Sequence, residues 1–384
     1  MTTLNGLRVL QVLPTLAACG VARDAVEVAV ALARAGAAST VASAGGPLQR
    51  ELDRAGVAHL ILPSLASHAP WSAPLNAYHL AKIVQARGVN VLHAHSRLLA
   101  WAGWWTAQRH NVRLVTTCHA PYPVGGRAQR WRGQAITRGA PVIAVSELVR
   151  DHLLAAFQVD PELIRVVRPG IDLSLYTPEQ VNPTRLIQLA RSWSLPDDRP
   201  VILVPGRIEP WRGQLELIEA LGRLGRRDLC CVMVENGAGE GRPPDRRYRR
   251  LLEQRIEALG LAESIRFPEA SPDPTAAYML ATMVVSPARD PEGFPRAIIE
   301  ALAMGRPAVM TDHGLSGRLV EPDLIRMTAP HNIDALAEAV TAVLALSPVE
   351  RAELAERSIR CARRGFGQER MAEDVTELYR KLSI

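Results

Sequence analysis

Short apolar, β-branched segments alternate with longer segments of helical periodicity along the first half of the chain. RVLQVLP (8–14) has the pattern of a buried strand, and VARDAVEVAVALARAG (21–36) has that of an amphipathic helix that ends at Gly36. Further strands, each followed by polar or helical sequence, are predicted at 40–43, 59–62, 90–95, 113–119 and 141–146. Such a β/α alternation favours a parallel, doubly wound sheet.

The alternation stops once and then resumes. PGIDLSLYTPEQVNPT (169–184) contains three prolines and little periodicity, which is typical of a domain boundary. Beyond it, strands are predicted at 200–206, 229–235, 264–267, 283–287 and 307–311. The sequence Ser347-Pro348-Val349-Glu350 has the form of a capping box at the start of a closing helix.

The length of 384 residues is too great for one ordinary core and fits two domains. We predict a Rossmann-like N-terminal domain at 1–175, a linker at 176–198, a second Rossmann-like domain at 199–365, and a C-terminal helix at 366–384 that crosses back to the first domain. Two such halves would enclose a cleft, which is the usual place for a ligand.

Composition indicates an ordinary globular protein with an unusual preference for arginine. Hydrophobic residues make up 48% and charged residues 22%, and the net charge is +6. Only Lys82 and Lys381 are lysines among the 45 basic residues. Arginine is the better partner for carboxylates and phosphates, although genomic base composition, with its equally heavy use of alanine, also explains the preference.

The cysteines, the apolar runs and the N-terminal sequence give an expectation for the cellular compartment. The five cysteines show no metal-ligand spacing, and the neighbours Cys230 and Cys231 are expected on opposite faces of a strand. No run of 18 apolar residues is present, and MTTLNGLRVLQVLP enters a strand without a basic segment and long apolar core. These features predict a reduced, cytoplasmic protein, for which contact with an inner-membrane surface remains open.

Two segments of the second half have the composition of a polar site. In PEGFPRAIIEA (291–301), Glu292 and Glu300 stand eight residues apart. A carboxylate on the otherwise apolar helix is costly if it is buried without a partner, so Glu300 either faces solvent or binds a polar ligand. GRIEPWRGQ (206–214) follows the first strand of the second domain, and its arginines are either solvated or anion-binding.

With two Rossmann-like halves, the E-x7-E pair and the GRIEPWRGQ loop, the chain resembles the retaining family-4 glycosyltransferases of the GT-B fold. The resemblance extends over nearly the whole chain and includes VLHAHSRLLAWAGWW (91–105), VTTCHAPY (115–122) and VIAVSELVRDHL (142–153). It implies two doubly wound parallel-sheet domains that face each other across a cleft. It also implies a nucleoside-diphosphate-sugar donor on the second domain and an acceptor on the first.

The resemblance implies a role for individual residues. Glu292 contacts the sugar, and Glu300, roughly 12 Å further if the intervening residues are helical, contacts the ribose. His119 faces the sugar, and Arg207 assists at the diphosphate. The implied catalytic residues are therefore Glu292, His119 and Arg207, and the donor-binding residues are Gly20, Arg207, Arg212, Gly293, Phe294, Pro295 and Glu300.

The diphosphate is expected to be held without a metal. Arg212 stands where the family usually has lysine, and together with Arg207 it supplies two fixed cations for a departing nucleoside diphosphate. Backbone N–H groups of Gly293, Phe294 and Arg296 at a helix N-terminus offer a further seat for phosphate. No Asp-x-Asp motif separates the domains. We expect no metal ion and no other cofactor.

The chain also departs from the family pattern. Residues other than glycine occupy five positions where the family usually has glycine: Cys19, Glu235, Glu269, Pro295 and Leu315. The loss of a glycine restricts the backbone. The identity of the donor therefore stays open, and a non-catalytic GT-B subunit is the alternative to an active transferase.

Other polar motifs are given simpler interpretations. Cys118 and His119 are adjacent on a strand and point to opposite faces, which disfavours a dyad. His93 and His95 share a face and are interpreted as cleft wall or hydrogen-bonded residues, not as a metal site. GAGEG (237–241) lacks the full dinucleotide spacing, and neither lysine lies in a cleft motif that would suit pyridoxal phosphate. Trp101, with Trp104 and Trp105, is expected to pack between helices.

Arginine is concentrated in two further segments. GRAQRWRGQAITRG (126–139) is predicted to contact anionic lipid head groups or a phosphorylated lipid carrier through Arg127, Arg130, Arg132 and Arg138. RPPDRRYRRLLEQR (242–255) is interpreted as a solvated helix face. Neither has the interleaved aromatic residues of a nucleic-acid groove. The predicted partners are thus a nucleotide sugar, a glycan or lipid-linked acceptor of the cell envelope, and an anionic membrane surface.

Overall fold

The computed structural model describes residues 4–67, 69–234, 245–268, 273–315 and 318–382. Within them the strands are β1 Arg8–Val12, β2 Ala38–Ser43, β3 Ala58–Ile61, β4 Val91–Ala94, β5 Arg113–Cys118, β6 Val142–Ala144, β7 Ile164–Val166, β8 Val201–Pro205, β9 Cys230–Val234, β10 Ile265–Arg266, β11 Met283–Ser286, β12 Ala308–Thr311 and β13 Ile325–Thr328. The α-helices are α1 Gly20–Arg34, α2 Gln49–Arg54, α3 Ser72–Arg87, α4 Arg97–His110, α5 Arg127–Gln134, α6 Glu147–Ala156, α7 Pro183–Ser192, α8 Gln214–Leu224, α9 Arg246–Ala258, α10 Pro274–Leu280, α11 Arg296–Ala303, α12 Ile333–Leu344, α13 Pro348–Gly365 and α14 Gln368–Arg380.

The chain divides into two compact units, one of residues 1–170 and 368–384 and the other of residues 171–367. In the described part of the first unit the strands pair in parallel in the order β3-β2-β1-β4-β5-β6-β7. In the second the order is β10-β9-β8-β11-β12-β13, again parallel. The predicted α/β class with two doubly wound parallel sheets is confirmed.

Burial of both sheet faces explains the apolar strands. In β1 and β9, every residue from Val9 to Val12 and from Cys230 to Val234 is buried, which is the composition expected of central parallel strands. Cys230 and Cys231 are both unpaired thiols in this core. In the first unit, α14 contributes Met371 and Tyr379 to a cluster with residues of β1, β4 and α1.

The structure differs from the sequence-based expectation at three elements. Strands β7 and β13 are additional, and each is short, lies at a sheet edge and contains an arginine, so neither has the apolar run of a central strand. The expected linker at 176–198 contains α7, where the Asn182 side chain accepts from the N–H of Arg185 and Pro183 occupies the first turn.

The predicted capping box is confirmed, because Ser347 and Glu350 each accept from the other's backbone N–H.

The length and hydropathy of the helices decide whether any of them could span a membrane. No helix in the described ranges combines the length and the apolar character that a bilayer-spanning segment needs.

Each sheet has a place where the strand order reverses, and ligand sites are expected there. These are the carboxyl ends of β1 and β4 in one unit and of β8 and β11 in the other, where open α/β sheets bind ligands.

Candidate functional site

Two loops lie side by side at the carboxyl edge of the second sheet. Residues 206–213 follow β8 and residues 287–295 follow β11, and these strands are neighbours. The Trp211 carbonyl accepts from the N–H groups of Arg289 (2.8 Å) and Asp290 (3.3 Å), which joins the loops. Gly213 has φ +74° and packs against the carbonyl of Pro287, so a Cβ there would collide with backbone. The close contact between the loops therefore requires glycine at 213.

Arg212 and Glu292, which the sequence assigns to one ligand, form an ion pair across these loops. The side chains of Arg212 and Glu292 are 26% and 13% exposed, respectively. The second carboxylate oxygen of Glu292 lies 3.4 Å from the Ser286 hydroxyl at the end of β11. The Arg212 guanidinium also lies 4.2 Å from the Trp211 ring centroid, and its buried Nε has no partner among the described residues. The arginine is thus held by Glu292 and Trp211, and its buried Nε–H remains without a partner among the described residues.

Arg207 lies beside a carboxylate that sequence reasoning did not single out. Its Nη2 is 3.2 Å from Oε1 of Glu209, and Oε2 of Glu209 accepts from the Trp211 indole N–H at 2.6 Å. The Arg207 carbonyl accepts from the Gln214 amide at 2.8 Å. Glu209 thus fixes both Arg207 and Trp211, and each of the two candidate phosphate-binding arginines faces one carboxylate.

Glu300 is buried and has a specific partner. It is the fifth residue of α11, is 8% exposed, and its Oε2 accepts from the Tyr278 hydroxyl of α10 at 2.7 Å. Burial, with the nearby Glu300 carboxylate, raises the pKa of Tyr278 well above its usual value, so the phenol stays protonated and donates. The helical carboxylate therefore does not face solvent, and its Oε1 remains for a ligand hydroxyl.

The start of α11 differs in detail from the expected phosphate seat. Helix α11 begins at Arg296, so Glu292 lies in the preceding loop and only part of the interval to Glu300 is helical. The Arg296 N–H is donated to the Phe294 carbonyl at 2.9 Å, and Pro295 has no N–H. Of the three backbone donors considered from the sequence, Gly293 and Phe294 remain.

The remaining site candidates, Gly20 and His119, belong to the first unit. Gly20 opens α1, and a Cβ there would meet no atom within 4 Å, so packing does not demand glycine. His119 follows β5, and both its ring nitrogens contact protein groups: Nε2 is 3.1 Å from Nδ1 of His95, and Nδ1 is 3.4 Å from Oδ2 of Asp24. His119 is thus held between β4 and α1.

His93 and His95 are buried and hydrogen-bonded, which is one of the two interpretations drawn from the sequence. His93 contacts the hydroxyls of Thr117 (2.7 Å) and Tyr379 (2.8 Å). Burial, assisted by His119, lowers the pKa of His93 to about 3. The Cys118 thiol donates to the Ala120 carbonyl, and burial raises its pKa to about 12, which opposes a thiolate–imidazole pair.

The arginine-rich segment at 126–139 forms α5 and a short turn on the surface of the first unit. Arg127, Arg130, Arg132 and Arg138 are exposed. The Trp131 ring stacks on that of Trp101 with centroids 4.9 Å apart, and the Arg138 guanidinium lies 5.2 Å from the Trp104 ring. The predicted packing role of the α4 tryptophans is confirmed, and it anchors the basic helix.

Some features singled out from the sequence, namely Glu235, Glu269 and GAGEG (237–241), lie outside the described residues. Leu315, at another usual glycine position, is 2% exposed, so its side chain is accommodated in the core. Within the described ranges no three His, Cys, Asp or Glu side chains are grouped so that they could hold a metal ion.

Sequence reasoning missed Tyr278, Glu209, Trp211, Gln11 and Asp24. Four of them contact elements distant in sequence, whereas Glu209 contacts Arg207 and Trp211 within its own loop. Only Glu209 and Trp211, within GRIEPWRGQ, stood next to a recognised motif.

Comparison with known proteins connects this geometry with one class of enzyme. Residues 18–175 match the family model described as Glycosyltransferase Family 4, and residues 188–364 match that described as Glycosyl transferases group 1. A D-inositol 3-phosphate glycosyltransferase of Jonesia denitrificans is 31% identical over 242 residues, which are 59% of this chain and 56% of the relative. The chain thus spans about half the length of that relative.

Solved structures agree with the family models. The glycosyltransferase of Rickettsia africae superposes with a TM-score of 0.84 at 26% identity and covers 98% of both chains. HepE of Anabaena, solved with UDP and glucose, gives a TM-score of 0.82 at 20% identity over 97% of this chain and 99% of that chain. The second likeness concerns the fold alone.

Proposed function

The chain belongs to the group 1 glycosyltransferases of the GT-B fold, and on that premise we propose that it is a retaining, metal-independent hexosyltransferase. Its donor is a nucleoside-diphosphate sugar, and its acceptor is an envelope glycan or glycolipid of lipopolysaccharide, capsule or exopolysaccharide synthesis. The observation that carries the proposal is the Arg212–Glu292 pair at the switch point of the second sheet, with the buried Glu300 on the following helix.

The charges of the site fit the proposed reaction. The bond between the anomeric carbon and the diphosphate breaks, and a new bond to the acceptor oxygen forms on the same face of the sugar. The acceptor proton passes to the departing diphosphate. Arg207 and Arg212 offset the charge that develops on the leaving group, and Glu292 offsets the positive charge on the sugar. Glu300, with one oxygen held by Tyr278, accepts a ribose hydroxyl through the other.

Two acceptor classes compete within this proposal. The name of the Jonesia relative, D-inositol 3-phosphate glycosyltransferase, favours a small anionic acceptor. The exposed arginines of α5 favour a lipid-linked anionic acceptor equally well. A transfer assay with inositol 3-phosphate and with a membrane lipid extract as parallel acceptors distinguishes the two.

A second candidate, a non-catalytic GT-B subunit, is favoured by one observation. Each candidate phosphate-binding arginine already faces a carboxylate, Glu209 or Glu292, so the two pairs carry no net charge. Such a site attracts a diphosphate less strongly than two free arginines would.

The experiment is a thermal-unfolding screen of the full chain against UDP-, GDP- and ADP-sugars, followed by a transfer assay with and without EDTA. A ligand that binds only the folded state raises the midpoint. We expect one nucleotide family to stabilise the protein and transfer to persist in EDTA. Stabilisation without transfer to any acceptor would favour the non-catalytic subunit, and transfer that EDTA abolishes and magnesium or manganese restores would refute metal independence.

A further inference from the structure

Four polar side chains form a continuous chain across the switch point of the first sheet. Oε1 of Gln11, on β1, lies 2.8 Å from Nε2 of His95, which follows β4. Nδ1 of His95 lies 3.1 Å from Nε2 of His119, which follows β5, and Nδ1 of His119 lies 3.4 Å from Oδ2 of Asp24 on α1. Gln11 is fully buried and His95 is 3% exposed, so this end of the chain is shielded from water, whereas the His119 and Asp24 side chains are 8% and 13% exposed.

The carboxylate at one end gives the chain a direction. An ionised Asp24 carboxylate can only accept, and at 3.4 Å from Nδ1 of His119 it favours a proton on that nitrogen over a lone pair. A neutral His119 then accepts at Nε2, and the donor facing it must be the Nδ1–H of His95. His95 is neutral, because burial, and then the repulsion that a charged His93 or His119 would exert, lower its pKa well below the usual value. With its proton on Nδ1, His95 accepts at Nε2.

The last member must therefore donate, which fixes the orientation of the Gln11 amide. As placed, Gln11 directs its oxygen at His95, and its buried Nε2 has no partner among the described residues. The oxygen and nitrogen of an amide exchange places on rotation by 180° and are assigned from their surroundings. The rotated amide donates from Nε2 to His95, so a buried N–H gains an acceptor. The amide oxygen of Gln11 then has too few partners, which proteins tolerate more readily than an unpaired buried N–H group.

We propose that Gln11, His95 and Asp24 are positioning residues that hold His119 as the neutral tautomer protonated at Nδ1. Hydrogen bonds then run in one direction, from Gln11 to His95 and from His95 to His119, and the Nδ1–H of His119 faces the Asp24 carboxylate. The reverse direction is available only if His119 carries a second proton, because its Nε2 would then donate to His95 while its Nδ1–H still faces Asp24. The consequence for catalysis rests on the proposed function and on the expectation from the family resemblance that His119 faces the sugar; the tautomer itself does not.

The direct test is the nitrogen NMR spectrum of the full chain with ¹⁵N-labelled histidine at neutral pH. Two-bond proton–nitrogen correlations distinguish the two neutral tautomers and the imidazolium. Signals are assigned by their loss in His95→Gln and His119→Gln. We expect both His95 and His119 as the neutral form protonated at Nδ1. A proton on Nε2 of either residue overturns the proposal.

Asp24→Asn and Glu27→Gln provide a matched pair of variants. Glu27 is on the same helix, accepts from the Gln368 amide at 3.2 Å and does not belong to the chain. An amide at position 24 both donates and accepts, so the direction is no longer imposed. We expect Asp24→Asn to populate both tautomers of His95 and His119, and Glu27→Gln to leave the spectrum of these two residues unchanged. An unchanged spectrum in Asp24→Asn refutes the proposal.

Activity then separates this proposal from the proposed function. Asp24→Asn should lower kcat at least tenfold and leave the affinity for nucleoside diphosphate unchanged, because that ligand is assigned to the second unit. Parental kcat in Asp24→Asn, with the tautomers altered, refutes a positioning role. Expected tautomers in a chain that transfers no sugar support the hydrogen-bond assignment and refute the transferase function instead.

Discussion

Replacement of Glu292 by glutamine separates the charge of the site from its shape. Glutamine retains the size of the side chain and can still accept a hydrogen bond, but it no longer neutralises Arg212. The Arg212–Glu292 pair is partly solvated, with side-chain exposures of 26% and 13%. Partly exposed ion pairs contribute at most about 1 kcal/mol. Loss of the charge should therefore lower the free energy of unfolding by about 1 kcal/mol or less.

The catalytic effect of the same change should be much larger. If Glu292 stabilises positive charge at the anomeric carbon, its interaction is stronger in the transition state than in the ground state, so its loss appears in kcat. We expect kcat to fall by about two to three orders of magnitude, which corresponds to about 3–4 kcal/mol. Nucleoside diphosphate should bind as well as before or better, because Arg212 is relieved of a competing carboxylate.

The assay combines initial-rate kinetics, calorimetric titration of nucleoside diphosphate and urea unfolding. Glu219→Gln is the control, because Glu219 forms a bidentate pair with Arg255 (2.5 and 2.8 Å) elsewhere in the same unit. Its kcat should equal that of the parent. Parental kcat in Glu292→Gln would refute the assignment of the carboxylate to the sugar. A kcat loss accompanied by weaker nucleotide binding would indicate instead that Glu292 acts by orienting Arg212.

Three further changes test other parts of the site. Glu300→Ala should raise the donor KM roughly ten- to hundredfold with a smaller loss of kcat, since a hydrogen bond to a charged group contributes about 1.5–3 kcal/mol. Tyr278→Phe should show a weaker form of the same effect. A loss confined to kcat would contradict the assignment of Glu300 to the ribose. Arg127, Arg130 and Arg132 changed together to serine should weaken sedimentation with anionic vesicles and leave nucleotide affinity unchanged, whereas unchanged sedimentation would identify α5 as a solvated surface. His93 has a pKa lowered from 6.5 to about 3, chiefly by burial and then by His119, so the unfolded chain binds more protons between these values and stability falls as pH falls below 6.5. Between pH 6.5 and 5 the parent should lose up to about 2 kcal/mol more unfolding free energy than His93→Gln, measured by urea titration; equal losses would show that His93 is not held neutral.

The elements that could be predicted are those whose signal is local in sequence. Central strands such as β1 and β9 are fully buried and therefore continuously apolar, and the capping box at Ser347 lies within four residues. The edge strands β7 and β13 have a solvated side and contain arginines, so their pattern is weak. Helix α7 was missed because its Pro183, the preceding Pro178 and its capping Asn182 also indicate a linker.

The residues of the site, too, could be predicted only where their signal is local in sequence. Arg212, Glu292 and Glu300 were identified because their spacing within two short segments is distinctive. Their partners were not, because they depend on how loops meet in space. Tyr278 reaches Glu300 from another helix, and Gln11 reaches His95 across 84 residues of chain. A hydrogen bond between such positions follows from sheet order, which no single segment contains.

The anomeric configuration of the product tests the central claim most directly. The protein is incubated with the stabilising nucleotide sugar and its acceptor, and the ¹H NMR coupling constant at the anomeric position of the first-formed glycoside is measured. We expect the product to have the configuration of the donor, so that an α-linked nucleotide sugar yields an α-glycoside. A β-glycoside from the same donor would contradict transfer with retention at the Glu292 and Arg212 site.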